Sequence, residues 1–325
     1  MDSIVTMSAD DDCYMDVPYW PPEWDFRLPI FFPVKTDRHG FRGILDAITE
    51  GASEEAIFAS VASYGETEFR SLISSADFFD TPTIFWAVAS GSINLVKFWI
   101  KHGASPSAAW FTFGPPLLAF AVVNPAKSEG DKAMMIAHLL SYGADPSAIP
   151  PEFYLPYCHD IPDDGPELTT DVDQMPLQHQ WCVHGARKMF ARSINLTHRY
   201  YFWKASRLKP PSERSLQIAR LMGTEELFRI PYFLVGQSIA CDRITNKVVS
   251  HVAQGHQNDG EPLVLLFAGP SGHGKTELAQ KMGSLLGVPL HIVDCTSIGN
   301  QWDLFGCRKP YQNYQAGTPL NNFLA

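Results

Sequence analysis

The sequence has little charge. Only 18 % of its 325 residues are Asp, Glu, Lys or Arg, against roughly 25 % in an ordinary globular chain. The balance is negative, a formal −10, which excludes general nucleic-acid binding, a function that needs a basic footprint. No apolar run approaches the roughly 18–20 residues that cross a bilayer, so no membrane-spanning helix is expected. The six cysteines (Cys13, Cys158, Cys182, Cys241, Cys295, Cys307) lie far apart, without a C-x-x-C pair, and read as reduced thiols. His179, Cys182 and His184 come nearest to a ligand cluster, but they lack a fourth member, and no metal centre is expected there. The opening MDSIVTMSADDDCYMD lacks the basic and apolar regions of a secretion signal and is too acidic for a mitochondrial transit peptide, so a cytoplasmic location is expected. No G-x-S-x-G or other nucleophile motif appears, and no residue is assigned a catalytic role.

What is present divides the chain into five parts. Residues 1–40 form an acidic arm rich in proline and aromatics (PYWPPEWDFRLPIFFPV), which cannot continue a helix because each proline lacks an amide donor. Residues 41–148 read as short helices. Residues 149–176 hold six prolines and seven acids, a linker or long loop. Residues 177–229 read as a helical connector. Within it, residues 187–220 hold nine Lys/Arg against the single Glu213, either a solvated face or a dock for an acidic partner. A different kind of domain occupies 230–325.

The 41–148 region repeats itself. HGASPS at His102–Ser107 recurs as YGADPS at Tyr142–Ser147, and each copy follows an amphipathic run, INLVKFWIK or MMIAHLLS. Glycine in that place suits the left-handed residue that closes a helix. Helix, turn, helix and G-A-x-P resemble the ankyrin repeat. The resemblance implies a stack of helical hairpins that binds a protein partner, with 41–80 as a degenerate cap.

The clearest motif is LVLLFAGPSGHGKTELA, Leu263–Ala279. A continuous apolar run (263–268) reads as a buried parallel strand. It enters Gly269, Pro270, Ser271, Gly272, His273, Gly274, Lys275 and Thr276, a full G-x-x-x-x-G-K-[ST] loop, and then a helix. The glycines let backbone amides converge on phosphate oxygens, and the helix N-terminus adds its positive dipole end. Lys275 would reach the β- and γ-phosphates and the Thr276 hydroxyl would ligate Mg²⁺. ATP or ADP with Mg²⁺ is the expected ligand. His273 varies freely at its loop position and is not read as an acid or base.

From Ile230 onward the chain resembles the second ATPase domain of the Clp/Hsp100 disaggregases, in the AAA+ superfamily. Leu234-Val-Gly-Gln237, GPSGHGKTELA and LFGCRKPYQNYQAG (304–317) carry the likeness. It implies that Val235, Gly236 and Gln237 line the adenine pocket and that Tyr311 stands at the pore-loop tyrosine. Pro310 and Asn313 replace the family's flanking glycines, so a structural role and a substrate-gripping role both stay open for Tyr311. Asp294, which ends LHIVD, caps the next turn or acts as a Mg²⁺ ligand. The family's Walker B, sensor and arginine-finger positions have no counterpart in this sequence. The expected fold is therefore α plus α/β: ankyrin-type helical repeats, a helical linker and a partial AAA+ P-loop α/β module, whose sheet a partner AAA+ domain would complete. The expected function is nucleotide binding with little hydrolysis. The rivals are a non-catalytic interaction scaffold with a vestigial loop, and a fragment of a complete ATP-driven disaggregase.

Overall fold

A computed structural model describes residues 40–74, 81–110, 114–124, 128–167, 174–209, 211–255, 261–293, 296 and 299. The chain divides into two compact units, Met1–Arg207 and Leu208–Ala325. The first contains helices α1 (Phe41–Thr49), α2 (Glu54–Val61), α3 (Glu66–Ser74), α4 (Ile84–Ser90), α5 (Ile93–Lys101), α6 (Leu117–Val123), α7 (Glu129–Ser141), α8 (His184–Ser193) and α9 (Leu196–Arg207).

Local chemistry explains where these helices stop. Gly103 and Gly143 have φ of 106° and 96°, a backbone that glycine adopts without a Cβ penalty. Each then makes the same pair of bonds. Gly103 N–H donates to Ile100 at 3.1 Å and Ala104 N–H to Trp99 at 3.0 Å, while Gly143 donates to Leu140 at 3.1 Å and Ala144 to Leu139 at 3.0 Å. These are Schellman caps, which satisfy carbonyls that a helix end would otherwise orphan. The two repeated turns are also clipped together: the Ser107 hydroxyl accepts from Asp145 N–H at 2.9 Å and donates to the Gly143 carbonyl at 3.4 Å. Sequence repetition thus becomes a repeated and mutually bonded structure.

Packing arranges the helices in a row. α1 packs on α4, α4 on α6 and α6 on α8, while α7 packs on α9. Every residue of α6 is buried, and Phe85, Trp86 and Trp99 are enclosed completely. The row continues through α8 and α9, which lie in the first unit although their sequence shows no copy of the G-A-x-P turn.

The acidic, proline-rich stretch after Ile149 is pinned to this stack. Arg187, buried on α8, donates to the Pro166 carbonyl through Nε at 2.9 Å, reaches Glu152 at 3.5 Å and lies over the Phe153 ring. Arg199 donates to the carbonyls of Phe153 at 3.1 Å and Pro156 at 3.0 Å. Three of the cations in the basic stretch, Arg187, Arg199 and Lys204, are therefore interior groups and not a solvated face. Among the described residues, no helix is long and apolar enough to cross a membrane.

Thiol chemistry gives a direct check of this packing. Burial pushes the Cys182 thiol up to about 12, and Cys241 is also buried whereas Cys158 is exposed. Only thiolate reacts with a disulfide reagent. Of these three, Cys158 alone is expected to label in native protein at pH 8, and Cys182 and Cys241 only after denaturant is added. Peptide mapping of the labelled sites reads the result; rapid native labelling of Cys182 would contradict the packing.

The second unit contains α10 (Glu213–Met222), α11 (Ile230–Phe233), α12 (Ser238–Ala253) and α13 (Lys275–Leu286). Its core joins Leu227, Ile230, Leu234, Cys241, Val248, Val249, Leu278 and Leu285. The expected α plus α/β class, with a partial AAA+ P-loop α/β module at 230–325, is not observed: among the described residues there is no strand and no sheet, and the fold is helical. The run 263–268 is extended and alternates, with Leu263, Leu265 and Phe267 against the core and Val264 and Leu266 83 % and 90 % exposed. No backbone hydrogen bond joins it to any other described residue. A strand exists only within a hydrogen-bonded ladder, and 288–293, the expected second strand, does not enter one either. Apolar patterning was enough to press this run onto the core; it carried no information about a pairing partner.

Candidate phosphate-binding loop

The loop begins where the extended run ends. Gly269, Gly272 and Gly274 all have positive φ, of 154°, 77° and 75°. Gly274 is the N-cap of α13 in the left-handed conformation, and its carbonyl accepts the first helical bond from Leu278 N–H at 2.9 Å. The N–H groups of Lys275, Thr276 and Glu277 therefore open the helix with no intrahelical carbonyl to bond. They form a concentrated positive end, suited to an anion.

Lys275 does not extend into solvent. Its ammonium folds back over the loop and donates to the Pro270 carbonyl. The cation thus lies across the stretch whose amides would meet a phosphate. His273 donates from Nδ1 to the Ser271 carbonyl at 2.9 Å, which ties its ring to the loop backbone. Glu277 is paired with Lys281 at 3.0 Å, and Lys281 lies over the Phe233 ring at 4.3 Å. The one acid of the first helical turn is held by a neighbour one turn on.

The structure brings two separate sequence elements together. A Cβ placed on Gly274 would lie 2.2 Å from Cδ1 of Leu234, the buried residue just ahead of Val235, Gly236 and Gln237. Gly236 has φ 78° and Gln237 is the N-cap of α12, so the segment turns sharply beside the loop. Val235 is 60 % exposed. Leu234 is the residue that sequence reasoning quoted without giving it a role. An apolar side chain directly before V-G-Q is the only signal that could have marked it. Gly274→Ala is expected to destabilise the second unit by roughly 1–3 kcal/mol, through the left-handed backbone and displacement of Leu234. Gly287→Ala is the control, with φ 64° and nothing within 4 Å of its Cβ. Urea melts of both variants isolate the Leu234 contact as their difference; equal losses would rule it out.

The residues fit the implied ligand. Backbone amides and one ammonium suit phosphate, and the Thr276 hydroxyl, exposed in the first turn of α13, suits a Mg²⁺ that keeps water and phosphate oxygens as its other ligands. Among the described residues, no group of three His, Cys, Asp or Glu could hold a metal by itself. In the HQWCVH stretch, His179 Nε2 donates to the Ser147 carbonyl at 2.7 Å, and the ring serves the fold. Tyr311, Asp294 and the arm 1–39 lie outside the described residues. The chain matches no protein-family model, no curated protein and no solved structure.

Proposed function

We propose that this protein binds ATP or ADP with Mg²⁺ at Gly269–Thr276, and hydrolyses it slowly or not at all. The observation that carries the reading is the loop itself. Three positive-φ glycines lead into the open N-terminus of a helix twelve residues long, with Lys275 folded across the mouth. Phosphates would replace the Pro270 carbonyl as partner of Lys275, Thr276 would hold the Mg²⁺, and the base would lie against Val235, Gly236 and Gln237. The likeness to Clp-type chaperones supports the nucleotide class. The helical hairpins, with their likeness to ankyrin repeats, would bind a protein partner.

Calorimetry of the full chain with Mg-ATP, followed by phosphate-release assays on the same sample, tests this. Saturable one-site binding with turnover no faster than buffer is expected. Robust hydrolysis would refute the second half, and absence of binding at millimolar ATP the first. One observation favours the rival scaffold reading: the Lys275 ammonium already has a partner inside the loop, so binding must first break that contact.

A further inference from the structure

The turn Val235–Gln237 and the loop Gly269–Thr276 come from distant parts of the chain, and among the described residues no backbone hydrogen bond joins them. Apolar packing fixes their spacing instead: Leu234 Cδ1 occupies the place of a Cβ on Gly274, 2.2 Å from it. Both sides of that contact are anchored from behind. Leu234 N–H donates to the Ile230 carbonyl at 2.9 Å, its carbonyl accepts from Cys241 Sγ at 3.9 Å, and its side chain shares a core with Leu278. The Gly274 carbonyl accepts from the N–H of that same Leu278. The contact therefore ties α11, α12 and α13 together through one core. Directly after Leu234 the chain comes to the surface. Val235 presents an exposed apolar side chain, and Gly236, with nothing within 4 Å of a Cβ, presents bare backbone. An apolar surface beside accessible backbone suits a flat heteroaromatic ring, as the loop amides suit phosphate.

The geometry points to Leu234 as a positioning residue: its volume sets the distance between turn and loop, so that the site selects nucleoside polyphosphates over phosphate chains that lack a base. This rests on the nucleotide reading above. A ligand that spans two elements gains from the second contact only where their spacing is already fixed; otherwise ordering the second element consumes the gain. A bare phosphate chain meets the loop alone and is indifferent to the turn. Gly274 completes the arrangement from the other side, because any side chain there would displace Leu234. A smaller residue at 234 leaves a cavity that its surroundings refill only in part. The turn then loosens relative to the loop, while the amides that meet phosphate stay as they are. Methionine, flexible and of similar volume, refills the space.

The test titrates the full chain by calorimetry with ATP and, separately, with inorganic tripolyphosphate, each with Mg²⁺, in wild type, Leu234→Ala and Leu234→Met. Leu234→Ala is expected to weaken ATP about tenfold and tripolyphosphate less than about twofold, the scale of a coupling between two sites. Leu234→Met should restore ATP binding to within about twofold of wild type. Circular dichroism checks that each variant is folded. Should Leu234→Ala fail to fold, Leu234→Val takes its place, with an expected loss of about threefold for ATP alone. Equal losses for both ligands would reduce Leu234 to a prop for the loop and overturn the inference, leaving nucleotide binding intact. So would an unchanged ATP affinity, or a wild type that binds both ligands alike. A wild type that binds neither would overturn the nucleotide reading as well.

Discussion

Lys275→Ala should abolish the stabilisation of this protein by Mg-ATP. Ligand at ~100 times its dissociation constant stabilises a folded protein by roughly 2.7 kcal/mol. For a unit of about a hundred residues, that raises the melting temperature by about 10 °C. Among the described residues, the ammonium is the side-chain cation folded over the loop, and alanine leaves the backbone amides alone to face several negative charges. The variant is expected to fold normally, because Lys275 is the first residue of α13 and its side chain contributes nothing to the core. Differential scanning fluorimetry of both proteins, with and without millimolar Mg-ATP, reads the outcome. An equal shift in wild type and variant would place the nucleotide elsewhere. No shift in either would leave the loop a vestige and the protein a scaffold.

Trp99→Ala should be the most damaging change in the first unit, costing roughly 3–5 kcal/mol. The indole is fully buried, and its Nε1 donates to the Thr83 hydroxyl at 3.2 Å. Its ring meets Phe69 edge-on at 5.8 Å, and its carbonyl receives the Schellman bond from Ala104. The loss is a large fraction of the 5–15 kcal/mol that holds a typical domain together. Trp99→Phe keeps most of the packing and removes the N–H, so its cost should be nearer 1–2 kcal/mol. Urea denaturation followed by circular dichroism separates the two. A loss below 1 kcal/mol for the alanine variant would show that Trp99 does not organise this core.

Features encoded within a few residues could be read directly. Gly103 and Gly143 marked helix ends because only a residue without a Cβ closes a Schellman cap cheaply, and the two turns have matching bonds. The glycines of 269–274 likewise announced a loop entering a helix, and α13 begins at Lys275. The run 263–268 was visible as continuously apolar, and Leu263, Leu265 and Phe267 do meet the core, while Val264 and Leu266 face outward, which the sequence did not show. The strand assignment failed at the next step, because membership of a sheet depends on a ladder between distant segments.

The same division applies to the candidate site and its surroundings. Sequence alone determined the glycine-rich loop that enters α13, the repeated helix caps and the negative, proline-rich character of the arm and linker, since these depend on residue type and short spacing. Only the tertiary structure decided that α8 and α9 extend the helical row, that Arg187 and Arg199 are spent on pinning the linker, and that Leu234 touches Gly274. It also decided that the second unit is helical among its described residues. Each of these depends on which surfaces meet across tens of residues. The free energy of such meetings comes from burial and from satisfying buried polar groups, and no local pattern states in advance which partner will supply them.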